Sequence, residues 1–301
     1  MQSPSASKNI YSGMALAILA TVVWSGNFVV ARAVIHQISP VSLAFFRWSA
    51  ASLVLAPFAL PGLRKDMPVI RKHWLYLCWV ALFGIAIFNT LLYVAGHYSP
   101  AINLALIGTT TSPVISIILA AFFLRESLHW PQILGVLLSL AGILLLLSRG
   151  DWNNLASFHF QKGDGWILLA ALCFAIYNIL VKIKPATLSP LSFLFLIFFL
   201  GSLFLFPIWL MEKSHSTPMQ WSGSIWLIIG YLGIGASALA YLCWNAAIAR
   251  LGAGRTALFG NLIPLFSSME AVWLLNESFS WLQIISGLIV IGGILLANLK
   301  K

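Results

Sequence analysis

Arg47 and Glu270 are charged side chains set deep in apolar stretches, where a charge has to be paired or hydrated. Arg47 follows Pro40 by seven residues, which at the helical rise puts it about 10 Å below the outer end of its span. Glu270 precedes Glu277 by seven residues, so it sits at about the same depth in the other half of the chain. The two residues either pair with each other or line one hydrated cavity. A pair would only fix helix positions. In a cavity, the guanidinium could meet the carboxylate of a zwitterionic substrate and the Glu270 carboxylate its ammonium. Snorkelling of Arg47 to the outer interface is the remaining alternative.

Pro113 and Pro264 are the second candidate set. Each lies in mid-span, removes one helical hydrogen bond and frees the carbonyl four residues earlier, at Thr109 and Gly260. Freed carbonyls at membrane depth need partners, which Thr110 with its neighbours and Asn261 could supply. Interrupted helices at equivalent positions point to a hinge beside a central site, or to a bend needed only for packing. A third set is polar or aromatic and deep: Trp24, Ser25, Asn27, Asn89, Tyr93, Tyr177, Asn178, Tyr241, Trp244 and Asn245. Buried Asn is costly without a partner, so each either ties helices together or lines a pocket that is apolar with a few polar groups.

The elements that carry these residues follow from composition. Of 301 residues, 60% are hydrophobic and 8% charged, against about 25% charged in soluble domains. Apolar runs of roughly 20 residues recur throughout, which predicts an all-α membrane protein and excludes a β-barrel. Spans are expected near 11–33, 40–60, 74–95, 101–124, 130–148, 165–182, 190–210, 224–248, 254–275 and 280–299, with polar loops at 61–73 and 149–164. The net charge of +10 comes from loop Lys and Arg that act as topology signals, and no nucleic-acid surface is present in the pattern.

The chain repeats itself. Residues 113–145 and 264–296 match at 14 of 33 positions, and 38–46 matches 188–196. Residues 1–150 and 151–301 therefore form two units of five spans each. Five is odd, so the second unit enters the membrane inverted. Twelve Lys and Arg fall in segments on the N-terminal side of the membrane and four on the other, which predicts cytoplasmic termini. Ser and Gly in the fifth and tenth spans permit close helix contact, within one protomer rather than across a dimer.

WSGNFVVAR (24–32), FFRW (45–48) and the P…LxES pattern at 113–127 and 264–278 resemble the EamA family of the drug/metabolite transporter superfamily. The resemblance covers about 12–298. It implies a ten-helix carrier that exports amino acids or other small metabolites through a central cavity formed outside the fifth and tenth spans. Within the family, the aromatic amino-acid exporters of the YddG type are the nearest expectation. Ile197 stands where Arg47 falls in the first repeat, so the halves are not chemically equivalent.

The expected function is therefore a secondary transporter of the inner membrane, moving aromatic or apolar amino acids outward by alternating access. Its expected partners are the small-molecule substrate and the lipid bilayer. A lipophilic-drug efflux carrier is the alternative and an intramembrane enzyme a distant third. No HExxH, nucleophile elbow, Walker loop or metal-ligand spacing occurs, and no cofactor is expected.

Overall fold

In a computed structural model, the chain is described over residues 4–33, 37–99, 101–148, 150–156, 159–215, 221–275 and 281–298, and these residues hold helices and no strand. The long segments are α1 (Pro4–Ala33), α2 (Pro40–Lys72), α3 (Trp74–Tyr98), α4 (Ala101–Phe123), α5 (Trp130–Ser148), α6 (Lys162–Lys182), α7 (Pro190–His215), α8 (Gly223–Leu251), α9 (253–275) and α10 (Trp281–Asn298). Eight of them are long and apolar enough to cross a membrane. In α4 the searched apolar stretch is shorter, Ile107–Phe123. In α9 a tight 3-10 segment, Leu258–Leu262, divides the α-helix. Pro40 and Pro190 open α2 and α7, where a missing N–H costs least.

The repeat-related helices α2 and α7 pack together and run antiparallel. Asp66, near the end of α2, accepts from the hydroxyl (2.7 Å) and backbone N–H (3.2 Å) of Ser189 at the start of α7. Glu212, near the end of α7, accepts in turn from Ser39 and from the backbone N–H of Ser42 (3.2 Å) at the start of α2. Between these ends Trp48 rests on Phe198, ring centroids 4.9 Å apart. Each helix thus places a carboxylate at the N-terminus of its partner, where orphan N–H groups and the helix dipole favour it. Asp66→Ala should cost about 1 kcal/mol, read as an unfolding midpoint a few degrees lower in detergent. An unchanged midpoint would mean that the clamp contributes nothing.

Residues 61–73 are not the polar loop expected. They continue α2 to Lys72 through Pro61 and Pro68, because the extra turns carry buried Asp66 to Ser189. Loop 149–164 contains a short helix, Asn153–Ala156. Trp74, Trp130, Trp166, Trp226 and Trp281 are exposed near helix ends, as an interfacial belt requires.

Candidate functional site

A cavity of about 80 Å³ lies among α1, α2, α3, α4, α6, α8 and α9. One water needs roughly 10–15 Å³, so the space holds several waters or a compact organic group. Aromatic rings dominate its wall. Trp24 meets Trp244 at 4.9 Å, Tyr241 at 5.4 Å and Phe174 at 5.8 Å, and Phe88 stacks on Phe174 at 4.6 Å. Trp24 and Phe174 lie 150 residues apart in sequence, at equivalent places in α1 and α6.

Arg47 is the charged member of the wall and only 1% exposed. Its Nε donates to Ser237 Oγ (2.8 Å) and its Nη2 to the Ala236 carbonyl (3.0 Å). Its Nη1 faces Tyr93 OH (2.7 Å), Asn89 Oδ1 (3.0 Å) and Asn27 Oδ1 (3.3 Å). The guanidinium carbon also lies 4.7 Å from the Trp48 ring centroid. This cage depends on a backbone feature that no sequence motif announces. Leu82–Ile87 of α3 and Tyr231–Leu239 of α8 are wide π-helical turns at equivalent places in the two halves. Such turns change which carbonyls find an intrahelical partner. Ala236 in one accepts from Arg47 and from Trp24 Nε1 (2.8 Å), and Gly84 in the other accepts from Tyr241 OH (3.3 Å). Gly84 has no room for a side chain, since a Cβ there would fall 2.1 Å from the Tyr177 ring.

Trp24, Asn27, Arg47, Asn89, Tyr241 and Trp244 line the cavity, as does Pro113. Tyr93 stands behind Arg47 as an acceptor. Thr110 is half-buried and outside the lining, whereas Thr109 and Gly260, four residues before the two prolines, are part of it. Only the second proline follows an interruption: α4 stays α-helical through Pro113, whereas the 3-10 segment of α9 precedes Pro264. The Asn261 amide donates to Ser139 Oγ (2.8 Å) rather than to the Gly260 carbonyl.

Tyr177, Asn178 and Asn245 form a layer beyond the cavity. Tyr177 OH donates to Asn245 Oδ1 (2.7 Å), Trp244 Nε1 to Asn178 Oδ1 (2.9 Å), and Asn178 Nδ2 to Ser116 Oγ (3.2 Å). Along α4, α6 and α8 these residues fall between the lining and the end that carries Glu126, Lys182 and Arg250. They floor the cavity on that side. Tyr177→Phe would leave Asn245, whose Nδ2 already lacks a partner, with no hydrogen bond. It should destabilise the protein by about 1–3 kcal/mol. Thermal unfolding in detergent tests this, and an unchanged midpoint would contradict it.

Glu270 does not pair with Arg47. Its Oε1 accepts from Ser25 Oγ (2.6 Å), and its buried Oε2 has no partner. It lies outside the cavity wall. Glu126 accepts from the backbone N–H of Ala253 (3.3 Å) and so anchors the start of α9, while Glu277 lies outside the described residues. Cys78, Cys173 and Cys243 are free thiols, and no metal-competent cluster of His, Cys, Asp and Glu occurs among the described residues.

Sequence reasoning missed Phe88, Leu92, Ser112, Ile167, Phe174 and the small residues Gly108, Ala170, Ala171 and Ala257. Phe174 was accessible through its repeat position opposite Trp24. The small residues carry no chemical signal of their own and matter because they leave space.

Comparison with known proteins gives one consistent picture. The family model described as EamA-like transporter family matches residues 11–148 and again 161–299. An uncharacterised transporter, YyaM, of Bacillus subtilis is 28% identical over 96% of this chain and 93% of its own length. A probable amino-acid metabolite efflux pump of Escherichia coli is 28% identical over 93% and 92%. A probable terminal-alkyne amino-acid exporter of Streptantibioticus cattleyicolor is 26% identical over 93% and 91%. A solved crystal structure superposes with a TM-score of 0.75 over 97% of this chain and 96% of that one, at 20% identity, which speaks to the fold alone.

Proposed function

The chain belongs to the EamA-like transporter family, and from that premise we propose that it exports aromatic or apolar amino acids by alternating access. One observation carries the reading. Helices from both halves jointly enclose an aromatic-walled cavity with a buried guanidinium in its wall. Apolar walls with a few fixed polar groups are the usual make-up of a small-molecule site. The relatives named as an amino-acid exporter and an amino-acid metabolite efflux pump support the substrate class.

In this reading residues 1–150 and 151–301 are inverted five-helix repeats, ten spans in all, with both termini in the cytoplasm and the protein in the inner membrane. The antiparallel packing of α2 on α7 supports the inversion. The Tyr177–Asn245 floor closes the inner side, and rocking one repeat against the other opens it while the outer side closes. Pro113 and Pro264, each one turn beyond a lining residue, serve as hinges. The small residues of α5 and α10 are used inside one chain, which supports a monomer.

Cells expressing the protein should survive toxic aromatic amino-acid analogues better than cells carrying empty vector. Resistance to lipophilic dyes, with none to the analogues, would instead favour a multidrug carrier.

A further inference from the structure

We propose that the cavity recognises a carboxylate and offers no carboxylate counterpart for an ammonium group, so that its substrates are small organic monocarboxylates with an aromatic or branched apolar body, simple acids as well as amino acids. The inference rests on the cavity being the transport site.

The Arg47 guanidinium is permanently charged and 1% exposed, yet every one of its hydrogen-bond partners is neutral. No carboxylate of the described residues bonds to it, and each is turned to other partners. Asp66 is held by Ser189, Glu126 by Ala253, and Asp151 by Asn153. Asp164 is held by Ser99 and Asn103, Glu212 by Ser39 and Ser42, and Glu270 by Ser25 through Oε1 alone, outside the cavity wall. A buried charge without a counter-ion forfeits hydration that dipoles repay only in part.

The donor count leaves an opening. A guanidinium has five N–H groups. One on Nε and one on Nη2 are used, and the two on Nη1 serve three acceptors. The second N–H of Nη2 has no acceptor among the described residues. A carboxylate entering the cavity meets that N–H and an uncompensated positive charge in a site walled by apolar rings, where Coulomb attraction is strong. An ammonium meets repulsion there and finds no carboxylate, because Glu270 is outside the wall. Arg47 therefore ranks ligands sharing one apolar body: acid at least equal to zwitterion, and both well above amine.

The test uses the purified full-length protein in detergent, titrated calorimetrically with phenylpropionate, phenylalanine and phenethylamine at neutral pH and fixed chloride. Phenylpropionate should bind saturably and at least about tenfold more tightly than phenethylamine. Arg47→Met should remove that preference. Absence of saturable phenylpropionate binding, amine binding equal to or tighter than acid, or undiminished acid binding by a folded Arg47→Met protein would each overturn the proposal. If the variant does not fold, the wild-type ranking decides alone. Vesicle uptake of the same compounds separates the two readings. Uptake of the amine in preference to the acid overturns carboxylate selection and leaves transport standing. Binding in the expected order with no uptake of any compound upholds carboxylate selection and removes the transport reading.

Discussion

Replacing Arg47 by Met is expected to lower phenylalanine uptake into reconstituted vesicles at least about 100-fold, roughly 3 kcal/mol, within the range for losing one partner of a desolvated charge pair. The fold should survive. Met fills much of the space and removes a buried charge that has no counter-ion, which offsets the loss suffered by Asn27, Asn89, Tyr93 and Ser237 when their common donor disappears. Thermal stability should therefore change by no more than about 2 kcal/mol in either direction. Arg47→Lys keeps the charge but not the planar fork and should fall between. A residue that merely tied α1, α2, α3 and α8 together would give the opposite pattern, with stability and uptake falling in step.

The second large effect is far from the cavity. In the seam between α5 and α10, a Cβ on Gly135 would lie 2.4 Å from the Gly293 carbonyl oxygen and 2.6 Å from the Ala297 nitrogen. Both are backbone atoms and cannot swing aside. A Cβ on Gly293 would meet the Gly135 carbonyl oxygen at 2.6 Å. Gly135→Leu has to push the helices apart along their whole contact and should cost more than the 1–3 kcal/mol typical of an overpacked core. The expected result is little or no folded protein by size-exclusion chromatography. Gly292→Ala, whose nearest neighbour would be Leu138 Cδ2 at 3.9 Å, should fold normally and serves as the control. Normal yield from Gly135→Leu would show that the seam is looser than its geometry requires.

Much of this architecture was legible because hydropathy and duplication are strong signals. The first turns of α2 and α7 at Pro40 and Pro190 follow from sequence position, and every polar residue of the cavity wall but Ser112 from lying deep in an apolar span. Other features were not legible, for physical reasons. The π-helical turns of α3 and α8 carry no distinctive composition. They arise where helices approach closely, as at Gly84 against Tyr177 and Gly233 against Ala50. The length of α2 was hidden by Pro61 and Pro68, which mark breaks in isolation but are tolerated where packing on α7 holds the helix. Depth along a helix can be counted from sequence, but rotation about its axis cannot. Glu270 and Arg47 were placed at one level, yet Glu270 turns to Ser25 and Arg47 to the cavity.

Exchange across the bilayer tests the central claim most directly. Vesicles containing the protein are loaded with unlabelled phenylalanine or left empty, and uptake of labelled phenylalanine is followed. One alternately accessible site predicts saturable uptake, acceleration by phenylalanine on the far side, and loss of both in Arg47→Met vesicles. Uptake that rises linearly with concentration, ignores the far side and persists in the variant would contradict it.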